Sequence, residues 1–149
     1  MKIEDAIKQK TFRSEFHKLQ VNIIYTANEL TGRIHELMKP HGLTPEQYNV
    51  LRILRGQYPK PSSINLLVER MLDKMSNASR LVDKLLGKGL VERSWSSEDR
   101  RKAEVVITRR GLDLLSEIDK QNDFDRPDSQ NISEEEAKEL NRLLDKYRD

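Results

Sequence analysis

Residues 73–111 read DKMSNASRLVDKLLGKGLVERSWSSEDRRKAEVVITRRG, and the apolar rhythm changes once inside this stretch. Ala78, Leu81, Val82 and Leu85 recur at the i, i+3, i+4, i+7 spacing of a helix with one buried face. Asp73 is the expected cap and Gly87 and Gly89 the expected stop, which predicts a helix over about 74–87. Beyond Gly89 the period falls to two. A first strand is expected from Leu90 to Trp95, and in a second Ala103, Val105 and Ile107 alternate with Lys102, Glu104 and Val106. The polar link SSEDRR between them predicts a hairpin over about 90–107 with an exposed tip.

Upstream, Ile64, Leu67, Val68 and Met71 repeat the helical stripe behind a cap at Ser62 or Ser63. Only a few residues separate this helix from the one after Asp73, so the pair reads as a helix-turn-helix. Before it, Thr44 and Gln47 form a capping box with Pro45 at the first helical position, and Tyr48, Leu51 and Leu54 make the inner face. Gly56 and the prolines of YPKP close that helix. Earlier still, Phe12, Phe16, Leu19, Ile23, Ala27, Leu30, Ile34 and Leu37 form a coiled-coil-like seam on one long helix over 11–38, ended by Pro40 and Gly42. A seam of that length needs a long partner.

Downstream, Thr108 caps a helix with Leu112, Leu115 and Ile118 inward, until NDFDRPDSQN (122–131) interrupts the pattern. Ser133 and Glu136 then form a second capping box for a last helix carrying Ala137, Leu140, Leu144 and Tyr147. The expected fold is therefore mainly α with a small β-hairpin. It is a winged helix-turn-helix (44–111) flanked by N- and C-terminal dimerisation helices (11–38 and 112–148), in one domain spanning 1–149.

Net charge is only +2, but residues 70–110 hold 11 Lys or Arg against 6 Asp or Glu, while residues 111–149 hold 6 against 12. A local basic surface on a near-neutral chain is the footprint of a phosphate-backbone binder, because each neutralised phosphate releases counterions. The absence of cysteine excludes disulfides, thiolate metal sites and thiol redox switches. His17, His35 and His41 stand without a dense Asp/Glu cluster, so no metal or other cofactor is expected. No nucleophile–base pair or phosphate loop marks an enzyme. No run approaches the roughly 18 apolar residues of a membrane span, and MKIEDAIKQK lacks the apolar core of a signal peptide. Cytoplasmic location is the simplest expectation.

The segment SNASRLVDKLLGKGLVERSWSSEDRRKAEVVITRRG resembles the recognition helix and wing of the MarR family of winged helix-turn-helix transcriptional regulators. The family's wing signature, an Asp-x-Arg pair, a strand ending in Leu-Thr or Ile-Thr and a Gly in the next helix, is met by Asp99, Arg101, Ile107, Thr108 and Gly111. LTPEQYNVLRIL and ISEEEAKELNRLLDKY fit as well, so the resemblance covers nearly the whole chain. The polar run 122–131 departs from it, standing where many relatives continue a long helix. The resemblance implies a homodimer with interleaved first and last helices, and two winged lobes reaching DNA.

With Ala78, Leu81, Val82 and Leu85 inward, Ser76, Asn77, Ser79, Arg80 and Lys84 lie on or beside the opposite face, and a helix fits the major groove. Asn and Arg can read adenine and guanine edges, Ser is adaptable, and Lys usually meets phosphate. Ser76 could instead only tighten the first turn with Asp73. At the wing the resemblance puts Arg101 in the minor groove or on the backbone, with Asp99 holding the tip or the arginine and Arg100 and Lys102 adding charge. It further implies a small aromatic or phenolic effector near Tyr25, His35, His41 and Tyr48.

The expected function is a homodimeric repressor of double-stranded DNA on a pseudo-palindromic operator, relieved by such an effector. The alternative is a winged-helix architectural or protein-interaction module without operator specificity.

Overall fold

Among the described residues, six helices begin on a side-chain oxygen that accepts a backbone N–H of the first turn, a strong start signal because these amides have no partner within the helix. In the computed structural model, which describes residues 1–122 and 131–149, Ser14 accepts from His17 at 3.1 Å, Thr44 from Gln47 at 3.2 Å and Ser63 from Leu66 at 3.1 Å. Asn77 accepts from Arg80 at 3.0 Å, Thr108 from Gly111 at 3.1 Å and Ser133 from Glu136 at 3.2 Å. Thr44/Gln47 and Ser133/Glu136 close as full capping boxes.

The helices opened this way are α2 (Glu15–Met38), α3 (Pro45–Gln57), α4 (Ile64–Arg70), α5 (Ala78–Gly87), α6 (Arg109–Gln121) and α7 (Glu134–Arg148). A short α1 (Ile3–Ala6) precedes them, tied to α2 by an ion pair between Glu4 and Lys18. Strands β1 (Ser62–Ser63), β2 (Val91–Trp95) and β3 (Ala103–Ile107) form an antiparallel sheet in the order β1-β3-β2.

Four sequence expectations change. The long helix starts at Glu15 rather than residue 11, because Ser14 caps it; Phe12 lies outside and meets His17 edge-on, ring centroids 5.8 Å apart. The helix expected over 74–87 starts at Ala78. Asp73 caps no helix: its carboxylate accepts from the Met75 amide at 2.9 Å and the Ser76 hydroxyl at 2.8 Å, closing a turn. The hairpin gains a third strand, since Ser62 and Ser63 pair with Val105 and Glu104. Val68, expected inward, is half exposed, whereas Leu67 and Met71 are buried.

The C-terminus of α5 explains the two glycines near it. Gly89 adopts φ 72°, and the Leu90 and Gly89 amides donate to the carbonyls of Leu85 and Leu86 at 3.1 and 3.0 Å. This is a Schellman ending, with Leu85 and Leu90 both buried beside it. Gly87 is simply the last helical residue. Gly111 serves another purpose: a Cβ there would sit 2.4 Å from the Leu90 carbonyl oxygen and 2.6 Å from Ile107 Cγ1. Only glycine lets α6 start so close to the sheet.

The chain divides into two units, 1–115 and 116–149. In the first, α3, α5 and the sheet enclose Val50, Leu51, Leu54, Leu67, Val82, Leu85, Val91, Val105 and Ile107, each at most 2% exposed. Its long helix α2 is different: Met38 is its single buried residue, and Phe16, Leu19, Ile24 and Leu30 are 75, 40, 61 and 49% exposed. In the second unit, Leu140, Leu143 and Tyr147 of α7 are likewise about half exposed. The run expected to interrupt the chain, 122–131, lies almost wholly outside the described residues.

Candidate nucleic-acid interface

Helix α5 is built to be covered on one side only. Ala78, Val82 and Leu85 are buried and Leu81 is partly so, which turns Ser79, Arg80, Asp83 and Lys84 to solvent. Arg80 and Lys84 are one turn apart and present two cations on one strip. Asp83 beside them is engaged, since Arg93 Nη1 of β2 donates to its Oδ1 at 2.8 Å. That ion pair joins the helix to the wing.

Two expected reading residues are committed locally. Ser76 donates to Asp73, which realises the turn-tightening alternative, and Asn77 is the cap of α5. Its Nδ2 amide donors stay at the helix entrance. The Asp73 carboxyl is held below its ordinary pKa by the Met75 amide and then by the Ser76 hydroxyl, both of which favour the ionised form. Behind the turn, Lys74 Nζ donates to the Val68 and Glu69 carbonyls at 3.1 and 2.5 Å and so closes the end of α4. A third connection was not legible in sequence. Lys88, just past α5, donates to the Gly42 carbonyl and, at 3.1 Å, to Gln47 Oε1, the same oxygen that accepts the Thr44 amide in the α3 capping box. The end of α5 is thus fixed to the start of α3.

The wing tip spans Ser96–Lys102. The Ser96 amide donates to the Lys102 carbonyl at 2.9 Å and the Lys102 amide to the Asp99 carbonyl at 3.0 Å. Asp99 Oδ1 accepts the Arg101 backbone amide at 3.0 Å, so this carboxylate shapes the tip itself. Arg100, Arg101 and Lys102 are all exposed around it.

A cleft of about 290 Å³ lies behind the helix-turn-helix, lined by Thr31 and Ile34 of α2, by Tyr48, Asn49 and Arg52 of α3 and by the Met71–Asp73 connection. Arg52 stands 5.6 Å over the Tyr48 ring, and Asn49 Oδ1 accepts the Leu72 amide at 3.0 Å. Of the four expected effector residues only Tyr48 lines this cleft. Tyr25 and His35 lie elsewhere on α2, where His35 Nδ1 faces Glu36 at 3.5 Å, and His41 ends the short 3-10 turn Lys39–His41. Periodicity marked Tyr48 as inward but could not bring Arg52 over it.

Comparison with known proteins supports the same reading. Residues 43–103 match the model of the MarR family. The chain is 28% identical over 101 residues to the HTH-type transcriptional regulator MhqR of Bacillus subtilis, covering 68% of each chain. It is 27% identical over 138 residues to the HTH-type transcriptional regulator MgrA of Staphylococcus aureus, covering 89% of this chain and 92% of that one. A MarR-like transcription regulator from Bacillus cereus shares the fold with a TM-score of 0.78 at 22% identity, over 90% of this chain and 96% of the other. With its winged helix-turn-helix and the basic strip it exposes, the chain is similar over residues 43–103 to the MarR family, and the relatives it matches are HTH-type transcriptional regulators.

Proposed function

We propose that the protein is a homodimeric repressor that reads a pseudo-palindromic operator through α5 and is released by a small anionic aromatic effector. The observation that carries the reading is the one-sided exposure of α5. Its apolar face is buried to the last atom at Val82 and Leu85, while Ser79, Arg80 and Lys84 stand free on a helix of the diameter that enters a major groove. Arg80 reads a base edge, Asn77 contributes its amide donors at the helix entrance, and Lys84 meets phosphate. Arg100, Arg101 and Lys102 hold the flanking backbone or minor groove from the wing.

Two-fold pairing is supported by the unburied seams. Phe16, Leu19 and Leu30 on α2 and Leu140, Leu143 and Tyr147 on α7 leave large apolar side chains in water, which a second copy would cover. Release is supported by the cleft, where the Arg52 guanidinium can pair with an anion and the Tyr48 ring can stack an aromatic, directly against the connection that leads into α5. A ligand that shifts Met71–Asp73 shifts the entrance of α5 with it.

Selection of duplexes from random sequence by the purified protein tests the proposal. A two-fold symmetric consensus, with half-sites about one helical turn apart, is the expected result. Recovery of unrelated sequences held by a steep salt dependence alone would favour an architectural role instead.

A further inference from the structure

Trp95, the single tryptophan of the chain, ends β2 with 61% of its surface exposed. Its direction follows from the strand register. Val91, Arg93 and Trp95 alternate along β2 and pair with Ile107, Val105 and Ala103, so these six side chains share one face of the sheet. Val91, Val105 and Ile107 are buried on that face, and Arg93 reaches Asp83 of α5 from it. Trp95 therefore stands on the recognition-helix side of the wing, one residue pair beyond the Arg93–Asp83 bridge, where the core has run out.

The opposite face carries Glu92, Ser94, Glu104 and Val106. Both strand carboxylates thus point away from the indole, while Arg93 shares its side and Arg100, Arg101 and Lys102 follow at the tip. Of the two acids at the tip, Asp99 is occupied by the Arg101 amide and Glu98 is exposed. An indole offers an apolar face and one N–H donor with no acceptor. Such a group, set between two cationic strips, matches a sugar–phosphate strand, in which apolar deoxyribose alternates with anionic oxygen.

We propose that Trp95 is a DNA contact. Its ring packs on a deoxyribose of the strand separating the groove entered by α5 from the groove reached by the wing tip, and its Nε1–H donates to an adjacent phosphate. The contact gives affinity without releasing a counterion, so its loss leaves the salt dependence unchanged, unlike the loss of a lysine or arginine. This assignment rests on the DNA-binding reading above and adds to it a residue outside the basic set.

The single tryptophan makes the test direct. The full-length protein is mixed with a selected duplex of about 30 base pairs, about three helical turns; anisotropy of the labelled DNA reports binding and acrylamide quenching of the indole emission reports Trp95. In the complex the quenching constant falls severalfold, Trp95→Ala binds about tenfold more weakly with an unaltered salt slope, and Trp95→Phe falls between. Binding with unchanged quenching overturns the assignment and leaves DNA binding intact. If Trp95→Ala melts early, the quenching of the unaltered protein decides alone. Failure of the unaltered protein to bind any duplex at low salt overturns the DNA-binding reading and the assignment with it.

Discussion

The Asn77 side-chain carbonyl accepts the Arg80 backbone amide at 3.0 Å, so the two residues expected to read neighbouring bases hold different stations. Asn77 starts α5, and the Arg80 backbone is fixed one turn inside it by that same bond. A substitution at Asn77 consequently disturbs the helix before it disturbs any base contact.

Asn77→Ala should lower stability by about 1 kcal/mol, the usual cost of a lost cap. Asn77→Asp should keep it, because a carboxylate caps as well. Denaturant midpoints of the two variants check this. On DNA the order changes: the aspartate variant keeps its helix but brings a negative charge to the groove, and it should bind more weakly than its stability suggests.

Gly111→Ala should destabilise by about 3 kcal/mol, since the added methyl group would meet backbone at the Leu90 carbonyl and a buried Ile107 side chain, neither of which can turn aside. Urea unfolding with an unchanged slope and a much lower midpoint is the expected result. A loss below about 0.5 kcal/mol, the range of ordinary surface changes, would mean the helix can lift off the sheet.

Ser62 is 2% exposed and its hydroxyl oxygen has no hydrogen-bond partner among the described residues. Burying an unsatisfied hydroxyl costs on the order of 1–3 kcal/mol, so Ser62→Ala should stabilise the protein by about 1 kcal/mol. A drop in thermal midpoint would show that the hydroxyl is satisfied in solution.

This same serine shows where sequence reading stops. The capping boxes at Thr44 and Ser133 and the Gly89 stop were legible because each is decided by residues within five positions of one another, and the wing was legible from the two-residue alternation of its strands on either side of a short polar link. Strand β1 was not: Ser62 and Ser63 carry no strand signal and pair only because the chain brings β3 alongside. Asp73 and Asn77 are equally good caps in sequence, and which one starts α5 is decided by the turn that Asp73 closes with Met75 and Ser76. The seam on α2 was readable as apolar periodicity, yet only the structure shows Phe16, Leu19 and Leu30 exposed on it. Arg52 over Tyr48, Lys88 on Gln47 and Arg93 on Asp83 join residues 4, 41 and 10 apart through folded geometry. The first lies within an amphipathic pattern that says nothing about cation–ring contact, and the other two have no local signature at all.

The depressed pKa of Asp73 gives a pH prediction with a definite sign. A carboxyl held below its unfolded value contributes stability that is fully present above that value and is lost as pH falls through the folded pKa. The unaltered protein should therefore exceed Asp73→Asn in stability at neutral pH, and the gap should close in acid below the ordinary carboxylate range. Thermal midpoints of both proteins across that range check it; a constant gap would assign the effect to packing.

The central claim is that α5 reads sequence while the wing chiefly holds backbone, and Arg80 separates the two most sharply because its side chain is exposed, whereas those of Asn77 and Ser76 are committed to the cap and the turn. The decisive measurement is the affinity of the unaltered protein, Arg80→Ala and Arg101→Ala for the selected operator and for a scrambled duplex at two salt concentrations. Arg80→Ala should lose about 1–3 kcal/mol on the operator and little on scrambled DNA, whereas Arg101→Ala should weaken both and reduce the salt slope by about one. Equal losses for Arg80→Ala on the two duplexes would contradict the account.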